Sequence, residues 1–253
     1  MKTKERRLYH YTKSLDTLCC YVLKDGFWPQ YSLEDFSWVQ NGKPLYLAFP
    51  CVCFTGLPLE QSQMHRDDYG NYVIGFHGSW DAAQRLKPLK YEDKATSLLN
   101  QHHCRALTKC DDVDVTGHFH PTKLKPEDFD GVWEILPYLK ENVGFTFQRR
   151  LKPLEDRRHN PHCKDLENER EWRYIPEKHR GNLFTVEDYD VTTMDALDKL
   201  SEVTRDSYLK FDHSDVSVIV VITDAERQQL AAKHPKLDGK IRIWDELPKP
   251  RAE

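Results

Sequence analysis

Two short stretches carry residue types on which chemistry could be built. Near the start, "RRLYHYTKSLDTLCCYVLKDGFWP" sets His10 between Tyr9 and Tyr11, directly ahead of an apolar run that closes on a glycine and two aromatics. In the second half, "EREWRYIP" interleaves acids, arginines and aromatics. In an extended chain successive side chains alternate. Glu169, Glu171 and Arg173 then share one face, and Arg170, Trp172 and Tyr174 the other. Such a row of charge is either solvated or, if buried, paired, and a buried pair marks a structural ion pair or a site. His10 has the same two readings, a core histidine or a ligand-binding one that needs a distant partner.

A third group offers metal-type ligands. "HHCRALTKCDDVDVTGHFH" supplies His102, His103, Cys104, Cys110, His118 and His120, and on a strand His118 and His120 would point the same way. The spacing fits no zinc knuckle or ribbon, and there is no second CxxC pair. His159, His162 and Cys163 fare no better, so no metal site is expected. A metal-dependent nuclease built on these histidines lacks the carboxylate spacing it needs. Signatures of kinases, P-loop enzymes, Rossmann folds, serine hydrolases and zinc proteases are missing.

The elements that must position these groups read as follows. Residues 7–12 form a strand with Leu8, His10 and Thr12 on one face, Tyr9 and Tyr11 on the other. Ser14 caps a helix over "LDTLCCYVLKD", which Gly26 ends. "SLEDFSWV" reads as one helical turn, and "PLYLAFPCVCF" as a strand that Pro50 pushes toward a bulge or an edge. Helix, strand, helix and strand follow in "PLEQSQMHRDDYG", "NYVIGFH", "SWDAAQRL" and "KPLKY". "DKATSLLNQHHCRALTK" is the longest central helix, and "PEDFDGVWEILPYLKE" is helical with breakers. Residues 148–168 read as an exposed charged loop. "TTMDALDKLSEVTRDSYL" is an amphipathic helix. The end reads as strand "VSVIVVI", helix "TDAERQQLAAKH" capped by Thr223, and strand "KIRIWDEL".

These elements make one α+β domain over residues 1–253, a mixed central sheet with flanking helices. The first strand and the near-continuously apolar "VSVIVVI" both belong in the main sheet. The chain is 39% hydrophobic and 31% charged with a net charge of −4, which gives no overall basic field for nucleic acid. No apolar run reaches the length of a membrane helix, and no signal-peptide core follows the basic start. A cytoplasmic protein is expected. Its seven cysteines, an odd number, read as buried thiols rather than a disulfide framework.

Four pieces, "YHYT", "CFTGLPLEQSQMHRDDYGNYVIGF", "NEREWRYIP" and "LKFDHSDVSVIVVI", span most of the chain in order. In them the sequence resembles the AbiGi-like family of bacterial abortive-infection proteins. That resemblance implies a part in phage defence, as one half of a toxin–antitoxin pair, with a cognate toxin or antitoxin protein as partner. More remotely, the run "LYHYT" through "DGFWP" is similar to the opening of ADP-ribosyltransferases of the DarT type, whose fold the chain would then share. This second likeness implies an NAD site. His10 would bind a ribose, Tyr11 or another aromatic would stack on nicotinamide, Thr12 and Arg173 would line the site, and Glu171 (or Glu169) would supply the catalytic carboxylate. Tyr46, Tyr69 and Tyr72 compete for the middle-strand tyrosine. A carboxylate there would stabilise the oxocarbenium character that develops on the ribose, with a nucleic acid or protein as acceptor. The alternative is a non-catalytic antitoxin that binds and neutralises its toxin.

Overall fold

The computed structural model describes residues 7–36, 46–92, 122–123, 136–141, 143–144, 164–180, 182, 184–186 and 191–248. The strands in chain order are β1 (Leu8–Thr12), β2 (Gln30–Asp35), β3 (Tyr46–Thr55), β4 (Tyr72–Phe76), β5 (Lys87–Pro88), β6 (Lys90–Glu92) and β7 (Thr122–Lys123). β8 (Leu139–Glu141), β9 (Val143–Gly144), β10 (Lys164–Asp165), β11 (Glu171–Tyr174), β12 (Phe184–Val186), β13 (Val216–Val221) and β14 (Ile241–Ile243) follow. The main sheet runs β14-β13-β4-β1-β3-β11-β5, with β2 and β12 also on β3 and β7 on β12. Both strands expected inside the sheet are there: β1 lies between β4 and β3, and β13 between β14 and β4.

Local signals explain most of the helices. The first, α1, is a π-type stretch Thr17–Val22 continued by Leu23–Asp25. Ser14 Oγ accepts the Thr17 amide at 3.0 Å, and Gly26 stops the helix at φ 89. A turn at Leu59–Gln61 leads into α2 (Gln63–Tyr69), ended by Gly70 at φ 112. The others are α3 (Gly78–Ala83), α4 (Val191–Ser201) and α5 (Asp224–Lys233). Thr223 and Glu226 form a capping box at the start of α5, each taking the other's backbone N–H. β13, α5 and β14 close the chain as a parallel β–α–β unit.

One face of the sheet packs Leu8, Phe54, Ile74 and Phe76 against Leu18 and Val22 of α1, Trp80 of α3 and Leu230 of α5. Phe76 and Trp80 stack at 4.0 Å between ring centroids. The opposite face buries Tyr9, Tyr11, Val73 and Val220 under Leu59 and Tyr69. A separate cluster, Tyr31, Leu33, Tyr46, Ala48 and Leu197, lays α4 over β2.

Several expectations change. "SLEDFSWV" does not begin as a helical turn, because Ser32–Asp35 pair with β3 as part of β2. "ILPYLKE" is a single turn at Leu136–Tyr138 and then a strand, β8, parallel to β6. Within the expected loop, Lys164–Asp165 pair with β9 and a turn at Leu166–Glu169 follows. Pro50 sits mid-strand without a bulge in the β2 register; instead β3 changes partner on its other edge there, from β12 (through Ala48) to β11 (from Val52). Cys19 and Cys51 are buried, but Cys20 is exposed on the outer side of α1. The helix expected over 93–109, and the histidines from His102 to His162 with Cys104, Cys110 and Cys163, lie outside the described residues.

Candidate functional site

The length of β3 creates the site. Along one edge it pairs with β1 only at Thr55 (opposite Tyr9), and with β2 from Cys51 to Tyr46. Between those contacts the sheet forks. The Cys53 carbonyl at the fork takes no strand partner and is capped by His10, whose Nδ1 lies 2.8 Å from it. That bond fixes the proton on Nδ1 and leaves Nε2 as the open nitrogen. His10 packs edge-on against Phe27 at 4.8 Å and beside Phe54 at 5.6 Å. Burial lowers its pKa below the ordinary histidine value, so the ring is neutral at pH 7.

Across β3 lies a buried ion cluster. Arg173, fully buried on β11, donates from Nε to Glu171 at 2.6 Å, from Nη2 to Glu34 at 2.5 Å and from Nη1 to the Pro137 carbonyl at 2.8 Å. Lys140 of β8 donates to Glu169 and to Glu171, both at 2.9 Å. Tyr69 gives its hydroxyl proton to Glu169 at 2.9 Å, and the Glu171 amide donates to Tyr91 Oη at 3.0 Å. Burial works against ionising Glu171, but Arg173 and Lys140 outweigh it and hold the carboxyl well below the usual carboxylate range. Burial likewise opposes the charge on Lys140, yet Glu171, Glu34 and Glu169 push its pKa above the ordinary lysine value. Glu34 is the exception: burial raises its carboxyl despite Arg173.

Two adjoining cavities open at the fork. A cleft of about 610 Å³ is lined by His10, Tyr11, Phe27, Trp28, Tyr31 and Arg205, among others, and Arg205 lies over the Trp28 ring at 4.0 Å. A recess of about 150 Å³ is lined by Tyr11, His65, Glu34, Lys140, Glu169 and Glu171, with His10 and Cys53 shared between the two. Of the residues expected in a site, His10, Tyr11 and Glu171 therefore meet at the recess. They do not meet from one side. Cross-strand partners share a face, so Tyr9, Thr55 and Glu171 lie on one face and His10 lies on the other with Phe54 and Trp172. Thr12 and Arg173 line neither cavity: the Thr12 hydroxyl bonds the Ser14 carbonyl at 3.2 Å, and Arg173 is spent on the cluster.

Glu34, Lys140 and Tyr91 were not legible as site residues. Their signal is a polar or charged group beside other charges in a short stretch of strand residues, "YSLEDF", "LPYLKE" and "LKYE", and such groups are ordinarily solvated. Among the described residues no three His, Cys, Asp or Glu side chains could hold a metal ion, and no helix is long and apolar enough to cross a membrane.

Comparison with known proteins adds a family to this geometry. No solved structure matches the chain. The chain is similar to the abortive phage resistance protein AbiGi of Lactococcus lactis subsp. cremoris, 23% identical over 259 residues, which covers 88% of this chain and 98% of that protein. The family model described as "Putative abortive phage resistance protein AbiGi, antitoxin" matches residues 25–222. That stretch takes in β2, β3 and every member of the ion cluster, though not β1 with His10, and the chain belongs to the AbiGi family of abortive phage resistance proteins.

Proposed function

We propose that the chain is the antitoxin half of an abortive-infection pair, working in the cytoplasm by binding its toxin rather than by catalysis. The observation that carries this reading is the state of Glu171. Arg173 and Lys140 hold its two oxygens at 2.6 and 2.9 Å. A carboxylate whose charge is already compensated inside the protein has little left with which to stabilise charge on a substrate. The decisive experiment co-expresses the chain with the toxin encoded beside it. Wild type and Glu171→Gln both restore growth if the role is binding. Loss of protection by a folded Glu171→Gln, with wild type protecting, overturns it.

A second reading, an NAD-dependent ADP-ribosyltransferase-like site, draws support from one feature. His10 and Tyr11 line a cleft within the size range of small-molecule and cofactor sites, and Glu171 lines the recess behind it. In this reading the open Nε2 of His10 faces a ribose hydroxyl, Tyr11 stacks on nicotinamide, and Arg173 acts only by holding Glu171. The acceptor would be a nucleic acid or a protein. Calorimetry with NAD and a labelled-NAD transfer assay on wild type, His10→Ala and Glu171→Gln test it. Transfer by wild type that both variants lose supports this reading; no NAD binding by wild type ends it.

A further inference from the structure

The turn that follows β11 ends in an arginine whose charge no acid of the described fold takes up. Pro176 closes the strand, and the His179 amide bonds the Pro176 carbonyl at 3.0 Å. The His179 ring is held by Asp206 at 3.3 Å and by Asn182 at 3.1 Å, so Arg180 leaves a braced turn. Its Nε is buried without a hydrogen-bond partner, and its guanidinium makes no ion pair among the described residues. The acid of the same turn, Glu177, is taken by Arg85 at 3.3 Å. Arg180 lies beside Tyr138, whose hydroxyl it draws toward ionisation against the larger effect of burial. Lys87 of β5, the cross-strand partner of Arg173, sets its Nζ 5.1 Å from the centroid of the same Tyr138 ring. Lys87 is exposed and also makes no ion pair among the described residues, and the Tyr138 hydroxyl has no hydrogen bond there.

An unbonded N–H donor inside a protein is costly, and an ion that belongs beside it is one physical reason for a fold to keep it. Two uncompensated cations beside one ring also repel each other, and an anion shared by both reverses the sign of that energy. We infer that Lys87, Tyr138 and Arg180 form a binding site for a phosphate group. The guanidinium fork offers parallel N–H donors to two phosphate oxygens, the ammonium offers a compact charge, and the phenol supplies a further O–H donor. A tetrahedral phosphate presents separate oxygens to all three side chains, whereas a carboxylate has only two oxygens to share among them. The site adjoins the ion cluster, since the neighbouring Pro137 carbonyl accepts from Arg173, but it draws on no member of the cluster and on no residue of the fork. It is therefore independent of both functional readings given above.

The test titrates the full chain with inorganic phosphate and with acetate by calorimetry, at constant ionic strength set by chloride. The expected result is one phosphate per chain, with acetate bound about tenfold more weakly because it satisfies fewer of the three donors. Arg180→Gln and Lys87→Met should each weaken phosphate binding about tenfold or more, the loss of one charge-assisted hydrogen bond. Tyr138→Phe should weaken it several-fold. Arg85→Gln is the control: its guanidinium is already bonded to Glu177, so phosphate binding stays at the wild-type level. Folded wild-type protein that binds no phosphate, or binds acetate equally well, overturns the inference without any variant. So does an Arg85→Gln protein that loses as much affinity as Arg180→Gln. An oligothymidylate then separates two sources of the group. Displacement of phosphate by the oligonucleotide assigns it to a nucleic-acid backbone, and phosphate binding that the oligonucleotide leaves unchanged assigns it to a free phosphate ester.

Discussion

Replacing Lys140 by methionine removes one of the two cations that the described residues bring to the buried cluster, while keeping the length of the side chain. In the native arrangement Nζ stands 2.9 Å from Glu169 and 2.9 Å from Glu171, and none of the three side chains is more than 10% exposed. The substitution takes from Glu169 and from Glu171 the ammonium that each of them holds. Breaking a buried pair in this way costs about 3–5 kcal/mol, because the surviving charge remains buried and uncompensated. An exposed pair such as Arg85–Glu177, both side chains 74% exposed, is worth at most about 1 kcal/mol. For a chain of this size the Lys140→Met loss corresponds to a fall in Tm of roughly 6–20 °C. Urea unfolding followed by tryptophan fluorescence at pH 7 measures it, with Arg85→Ala as the internal control. Lys140→Met with Glu171→Gln should recover part of the loss, since one stranded charge is gone. The reasoning fails if Lys140→Met costs no more than Arg85→Ala, or if the double variant is no more stable than the single one.

Three further outcomes are expected. The carboxyl of Glu171 is depressed in the folded chain, so its contribution is present above the unfolded value of about 4.3 and is lost as pH falls through the folded one; a Tm series from pH 6 to 3 should be shallower for Glu171→Gln than for wild type. Thr223→Ala removes the capping box of α5 and should cost about 1 kcal/mol in chemical denaturation, with no change in the strands around it. Gly70→Ala forces a Cβ to within 2.3 Å of the Thr12 carbonyl at a φ of 112, so it should destabilise by more than about 1 kcal/mol and loosen β1 against α2, read as faster amide exchange at Tyr11 and Thr12.

Elements whose signals are local were legible from the residues alone. Alternation in "LYHYT" placed Leu8, His10 and Thr12 on one face; Ser14, Gly26, Gly70 and Thr223 marked helix ends through their own side chains or backbone freedom; the apolar run at 216–222 could only be an interior strand. It also showed that "EREWRYIP" alternates and that its charges needed partners if buried. Tertiary structure alone decided which partners those were. Lys140 and Glu34 come from segments that read as helical, and they became strands only because β6 and β3 offered open edges to pair with. Local propensity cannot report such pairing, since a short strand is stabilised by its neighbours rather than by its own sequence. The fork has the same origin: β1 and β2 share one edge of β3 without meeting, and His10 caps the carbonyl left between them. Glu171 reads from sequence as an acid available for chemistry. Two cations brought from elsewhere in the fold make it a closed ion pair.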